Sequence, residues 1–401
     1  MALQIDTSTI QSAQRRLDVI SNNISNSNTV GFKTSNFEQV IGSAFAQTQD
    51  VSRAGAVQNF SQGNLTESAN PLDIAINGSG FFRFESNADI VYSRNGQFTV
   101  NKEGYVVNGN GDKLTGYLAK AGDIDKSALK PLMIVSGDQY APEATANISL
   151  RTTLDCRKTV PTGTSFDSTN PDTYNDTTTI SVHDAKGTPL TLQAYFVKTT
   201  AGWELHLLKD GSAITPVSIP LTFDANGSLS TVNGTAVATG AGKAQVSVPI
   251  TGGTQSISLN LSDTASYAAP FSSVMTFHDG VELGTLNSYK VLEDGTLIGS
   301  YTNGKQKTLG QAILANFTNP SALAYTINNQ WKATDGSGSA QIYVPGVEGT
   351  GTLKGFTTED SNVDLSGEMI KLIAAQRAFQ SAAEVVKRED ETLQTLVNIG
   401  R

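Results

Sequence analysis

Helical stripes of apolar residues lie at both ends of this chain, and almost everything between them reads as β-structure. At the N-terminus Leu3, Ile10, Ala13, Leu17, Ile20 and Ile24 fall on alternating three- and four-residue steps, with Asp6 in the remaining slot. Leu365, Met369, Leu372, Gln376, Phe379, Ala383, Val386, Asp390, Leu393 and Val397 repeat the pattern at the C-terminus. Such stripes bury only against another helix, so each end predicts the other as its nearest partner. The spacing gives a first helix over residues 2–27, closed by the Asn- and Ser-rich run from Ser21 to Asn28, and a second from about 364 to 398. Asn and Ser compete for backbone hydrogen bonds through their side chains, and Gly31 can take a positive φ. Asp364 stands where a carboxylate caps the first turn, with Glu368 in the following residues. The expectation is a subunit closed by its own termini and completed by neighbouring copies.

Composition accounts for the middle. Of 401 residues only 16 % are charged and 7 % aromatic, while 37 are glycine, which suits many short strands with tight turns. A formal net charge of −9 argues against a phosphate-backbone partner, so no nucleic acid is expected. Cys156 is the only cysteine, which rules out an internal disulfide framework. No stretch approaches the roughly 20 apolar residues of a membrane span, so no membrane insertion is expected. Asp6, Gln11, Arg15, Arg16 and Asp18 break every apolar run near the N-terminus, which predicts no cleaved secretory signal peptide.

From Leu72 onward, turn dipeptides (Asn77-Gly78, Asn95-Gly96, Asn108-Gly109) separate alternating runs such as Phe98, Val100 and Tyr105, Val107. Tyr289 to Phe317 has the same character, with Asp294-Gly295 and Asn303-Gly304 as turns. Between these blocks lies a Thr-, Ser- and Gly-rich segment with strands expected at Leu190–Phe196, Trp203–Leu208 and Gln245–Ile250. The fold class expected is mainly β with long terminal α-helices and nested β-domains. Residues 1–32 and 362–401 make a terminal helical coiled-coil domain, 33–71 and 346–361 a linking region. Residues 72–146 and 277–345 make a split inner β-domain, and 147–276 an inserted outer one. Phe37, Val40, Ile41 and Phe45 in the linking region read as local core.

No catalytic, cofactor or metal site is legible. His183, His206 and His278 are too scattered for a zinc set, whose ligands come in close-spaced pairs. Gly299 to Lys305 fits the opening of a phosphate loop, but Gln306 replaces the required Ser or Thr, so a β-turn is expected. Gly78-Ser79-Gly80 leads into Phe81-Phe82-Arg83-Phe84, a strand and not a helix, so it too reads as a tight turn. The carboxylates show no acid/base pairing. The chain therefore reads as a structural protein, not an enzyme, with no cofactor. A surface carbohydrate-binding or adhesive β-protein is the rival from another class, and an outer segment with Trp203 as its one tryptophan gives it little support.

Five blocks, in order, resemble the bacterial flagellar rod-and-hook axial proteins, most closely the hook branch. They are Leu17-Asp18-Val19-Ile20-Ser21-Asn22-Asn23-Ile24-Ser25-Asn26 with Thr29-Val30-Gly31-Phe32-Lys33; Phe60-Ser61-Gln62-Gly63-Asn64-Leu65 with Asn70-Pro71-Leu72-Asp73 to Phe82; Tyr92-Ser93-Arg94-Asn95-Gly96-Gln97-Phe98; Leu309 to Phe317; and Ser361-Asn362-Val363-Asp364-Leu365-Ser366 through Ala375 to Gln380 and on to Asn398. Thr7 to Ser12 departs from the Gly-containing run usual in relatives, and 147–276 carries no motif. The resemblance implies export by the flagellar type III export apparatus, without a cleaved signal, to the extracellular hook of the flagellum. It also implies a helical homopolymer built beneath a hook cap protein: a curved, flexible tube, or universal joint, that surrounds the export channel and transmits torque from rod to filament. Its neighbours would be the distal rod protein and the hook–filament junction protein. Those two are also the alternative identities within the family, which the large insertion disfavours. With this resemblance the terminal stripes become the expected assembly interface: Leu3, Ile10, Leu17, Ile20, Asn22, Asn23, Ile24 and Phe32, with Leu365, Met369, Leu372, Gln376, Phe379, Val386, Leu393 and Val397.

Overall fold

Strands that alternate buried and exposed residues have one face on a core, and strand Asn147–Asp155 does this along most of its length. Such strands make the chain mainly β, with two α-helices among the described residues, α1 (Ala2–Ser25) and α2 (Leu365–Ile399). The computed structural model describes residues 2–39, 54–87, 89–120, 122–163, 165–214, 217–237, 244–249, 256–326, 328–347 and 349–399, without the side chains of 2–9, 39, 54, 55, 389, 390, 393 and 396–399. Val40, Ile41 and Phe45 lie outside the described residues, while Phe37 is half-buried. The described chain divides into two compact units.

The first unit comprises residues 1–138, 287–300 and 306–401. Its strands include β1 (Ser35–Gln39), β2 (Ala54–Gln58), β3 (Leu65–Glu67), β4 (Ile74–Asn77), β5 (Phe81–Ser86) and β6 (Asp89–Ser93). An antiparallel path runs through strands Thr296–Tyr301, Gln306–Ala312, Lys113–Lys120, β5, β6, Gln330–Lys332 and Ala324–Thr326. Gly299 to Lys305 thus lies within a β-hairpin, as the missing Ser or Thr implies. β1 pairs with β2, β3 with Thr357–Glu359, and β4 with Thr352–Gly355. These last two pairings matter for the termini, because they bring the segment just before α2 onto strands that follow α1.

Aromatic rings fill the adjoining core. Phe81, Tyr92, Phe317 and Trp331 are buried, and Phe60 packs against them. Their contacts are edge-on, with Tyr92 and Phe317 centroids 4.9 Å apart and Phe60 and Phe81 centroids 5.1 Å apart, the geometry that ring quadrupoles favour. The Trp331 indole N–H donates to Gln58 Oε1, which satisfies a buried donor and ties β2 to the core. Turns follow the glycines at 78, 295 and 304, all at positive φ. Gly96 differs: a Cβ there would stand 1.7 Å from the Ile74 carbonyl oxygen, so close backbone approach requires glycine and left-handed backbone does not.

The second unit comprises residues 139–286 and 301–305. One sheet orders strands Gln245–Pro249, Ser256–Asn260, Asn147–Asp155 and Ala265–Tyr267, with Ser272–His278 also on Asn147–Asp155. The other orders Asp176–His183, Pro189–Lys198, Trp203–Lys209, Ile219–Phe223, Leu229–Val232 and Thr235–Ala236. Ile148, Leu150 and Leu154 from the first share one core with Val182, Phe196, Leu205 and Leu221 from the second. Two inner faces packed this way form a β-sandwich.

Candidate assembly site

α1 ends where the sequence turns to Asn and Ser. Asn26 N–H still bonds back to the carbonyl of Asn22 at 3.1 Å, and Thr29 Oγ1 donates to Asn26 Oδ1 at 3.1 Å. Asn23 is buried, and its amide behaves as a strand backbone would. Its Oδ1 accepts from Ser35 N–H at 2.9 Å and its Nδ2 donates to the Ser35 carbonyl at 2.8 Å. Nδ2 also lies 3.2 Å from Glu368 Oε2 on α2. One asparagine thus joins both helices and the first strand. α2 begins beside it, with Asp364 Oδ1 accepting from Ser366 N–H at 3.1 Å, so the carboxylate caps the helix as its position implies.

Three buried charges hold the next layer. Lys33 Nζ is 2.6 Å from Glu359 Oε1, with both side chains wholly buried, and donates to the Ser61 carbonyl at 2.7 Å. Arg94 Nη1 lies 3.4 Å from Glu359 Oε2, and its guanidinium carbon sits 5.4 Å from the Phe81 ring centroid. Gly63 N–H donates to Glu359 Oε1 at 3.0 Å, and Gly31 N–H donates to the Glu359 carbonyl at 2.7 Å. Burial pulls the Lys33 ammonium below its ordinary value, with Glu359 pulling upward and Arg94 adding to the fall. Burial likewise lowers Arg94, and Glu359 opposes the shift.

Asn362 completes the joint. Its Oδ1 accepts from Thr34 N–H at 2.7 Å, and its Nδ2 donates to the Asn59 and Ser61 carbonyls at 2.9 and 3.0 Å. Gly31 lets the connector pass: its φ is +71°, and a Cβ would stand 2.5 Å from Asn95 N. The arrangement can lock the ends of the chain to one β-scaffold, and among the described residues no cluster of three or more potential metal ligands exists.

Beyond the joint, α1 and α2 lie side by side. Asn23 meets Glu368, while Ser12, Ala13 and Arg16 share a cavity wall with Ala375, Ala378 and Ala382, so the helices run antiparallel. Ile20 and Phe32 are buried, and Ile10, Leu17 and Ile24 half-buried, whereas Asn22 is exposed. On α2 the inward residues are Glu368, Leu372, Ala375, Phe379, Ala382 and Val386, all buried or half-buried. The seam therefore shares Leu372, Phe379 and Val386 with the periodicity of the sequence. Leu365, Met369 and Gln376 are exposed, because small Ala375 and the hydrogen-bonded Glu368 occupy the close positions instead. The side chains of Leu3, Leu393 and Val397 lie outside the described residues. The charged triad, Asn362 and Glu368 carry no periodic signal. The available hint was a lone cation within each of two strand-and-turn blocks, Lys33 and Arg94, in a chain with few charges.

Comparison with known proteins covers the whole chain. Family models match residues 3–33 (flagella basal body rod protein), 75–153 (flagellar hook protein FlgE/F/G D1 domain), 153–281 (flagellar basal body protein FlaE D2 domain) and 354–399 (flagellar basal body rod FlgEFG protein C-terminal). The flagellar hook protein FlgE of Escherichia coli K12 is 36 % identical over 421 residues, covering 100 % of both chains. That of Salmonella typhimurium is 36 % identical over 409 residues with the same coverage. The Borreliella burgdorferi protein of that name is 28 % identical, covering 99 % of each chain. A crystal structure of Helicobacter pylori flagellar hook protein FlgE2 aligns over 72 % of this chain and 99 % of that one, at 12 % identity and a TM-score of 0.48.

Proposed function

Because this chain belongs to the family of flagellar hook proteins, we propose that its terminal helix pair is the surface through which copies join into the hook. The chain is a structural subunit of the bacterial flagellar hook, in a family whose work is mechanical. Hook and rod membership implies polymerisation within the basal body and hook. The finer picture is a curved, flexible tube around the export channel that transmits torque from rod to filament. In it the paired helices form the inner coiled-coil layer and the nested β-domains the outer ones, divided at the boundaries that the sequence suggests. The distal rod protein, the hook cap protein, the hook–filament junction protein and the type III export apparatus are the partners this picture requires, with export lacking a cleaved signal peptide.

The observation that carries this reading is the incomplete burial of α2. In a single copy its seam is covered, yet Leu365, Met369, Ile370 and Ile373 remain exposed near its start. Apolar surface of that kind on an otherwise packed unit favours association, and a contact that propagates without closing makes a helical array. Removing residues 1–30 leaves Lys33, Arg94 and Glu359 in place, and removing 362–401 leaves the β-strands. The doubly truncated chain should therefore stay folded and monomeric. Negative-stain microscopy of concentrated full-length protein should show curved tubes of one diameter, and tubes formed equally well by the truncated chain would refute the helix-pair interface.

A further inference from the structure

We infer that copies of this chain dock head to tail, the apolar ridge at the start of α2 in one copy seating in a groove beside α1 of the next. The inference rests on the assembly reading above and names its two mating surfaces. Leu365, Met369, Ile370 and Ile373 are 44, 47, 70 and 53 % exposed. Steps of three and four residues place them on one face with exposed Arg377, turned away from Glu368, Leu372 and Ala375 on the seam. A ridge of four large apolar side chains with a cation at its end calls for a groove with apolar walls and an acidic rim.

The first unit has one. A cavity of about 330 Å³ is walled by Val19, Phe32, Leu323 and Tyr325, with exposed Asp18 among its lining residues. That volume is at the lower end of what sites enclosing small ligands provide, so it admits the tips of a few side chains and not a second β-domain. Asp18 and Asn22 lie on a flank of α1 different from Ala13, Arg16 and Ile20, which face α2, so the groove stays open when the helices pair. Charge fits as well, with the Asp18 carboxylate on one side and exposed Arg377 on the other.

The occupant is a second copy because the two surfaces are different patches of one unit. A two-fold pair would seat each ridge in the other copy's groove and close, whereas hook and rod family membership implies a contact that propagates. A ridge-to-groove contact leaves a free ridge at one end and a free groove at the other, so each addition recreates the site for the next. Charge pairs at the rim set register and exclude wrong partners more than they add affinity.

Cross-linking tests this. Full-length protein carrying Cys156→Ser, Ser321→Cys and Ile370→Cys is assembled in concentrated solution, oxidised with copper phenanthroline and run on a non-reducing gel. The expected result is a ladder of dimers, trimers and higher species that collapses on reduction. Tubes in the microscope with no ladder, or with cross-links only within single chains, overturn the docking and leave the assembly reading standing. Absence of tubes from the wild-type chain overturns both. Asp18→Arg should cut tube yield about tenfold, the effect of about 1.4 kcal/mol per contact, and adding Arg377→Asp should restore it. Unchanged yield from Asp18→Arg, or no rescue by the reversal, also overturns it.

Discussion

Replacing Glu359 by Gln should be the most destructive conservative change in the first unit. The substitution keeps the side-chain shape but leaves Lys33 and Arg94 as two cations in a buried site without an anion. At 2.6 Å and an effective dielectric of 20, the Lys33–Glu359 attraction alone is about 6 kcal/mol. Relief of the carboxylate's desolvation offsets part of this, and breaking one partner of a buried pair typically costs about 3–5 kcal/mol. That is about a fifth or more of the stability of an ordinary domain. The assay is urea unfolding followed by Trp331, buried in the aromatic core of the same unit, in a Trp203→Phe background that silences the second unit. With a slope of about 2 kcal/mol per molar urea, the midpoint should fall by about 2 M. Because Gly31 and Gly63 also bond to Glu359, circular dichroism should show helix content lost together with this transition. Lys371→Ala removes only the half-exposed lysine of its pair with buried Glu368, whose carboxylate keeps its bond from Asn23, and should cost less, about 1 kcal/mol. A Glu359→Gln midpoint within about 0.5 M of wild type would refute the view that the triad holds the joint.

Two further outcomes follow from single residues. Phe356 has φ +54° and is 44 % exposed, so Phe356→Gly exchanges a left-handed penalty of about 1–2 kcal/mol for glycine's entropy cost of about 0.5–1. The same urea assay should show a gain of about 0.5–1 kcal/mol, and a loss would mean that the ring packs for more than its backbone strain. Asp155 is held down to about 2 by its side-chain bonds to Arg157 and by the Arg157 N–H. A depressed carboxylate stabilises the fold in full above its ordinary value of 3.8 and loses that effect as pH falls through about 2. Thermal melting read from Trp203 in a Trp331→Phe background should therefore separate wild type from Asp155→Asn above pH 3.8 and bring the two together near pH 2; a pH-independent difference would refute the linkage.

Elements that satisfy themselves locally were legible in the sequence. Helix periodicity located α1 and α2 to within a few residues, since an apolar stripe is a property of neighbouring turns. Strands at Leu190–Phe196 and Trp203–Leu208 fall inside Pro189–Lys198 and Trp203–Lys209 because alternation shows which face is buried. The joint was not legible. Lys33 and Glu359 are 326 residues apart in sequence, and no periodic pattern relates a charge in a connector to one in a short strand before a helix. Asn23 read as part of a helix-terminating run, yet its amide reaches Ser35 and Glu368. The seam on α2 was legible only in part, because a stripe of large apolar residues does not reveal that Ala375 and Ala382 give the closer approach.

Burial along the helix pair is graded, and that gradient connects the joint to assembly. At the joint Asn23, Ile20, Lys33, Glu359 and Glu368 are all buried, with Asn23 bonded to Ser35 of β1 and Lys33 to Glu359 of strand Thr357–Glu359. Farther along α2, Phe379, Ala382 and Val386 are only half-buried, and Val385 is 55 % exposed. Each square ångström of apolar surface still in water there is worth about 25 cal/mol to whatever covers it. The buried charges thus fix where the helix pair leaves the β-scaffold, while its outer turns keep apolar surface that burial would stabilise. Under the proposed assembly, a neighbour that covers this surface should therefore stabilise the outer turns of the helix pair more than the joint.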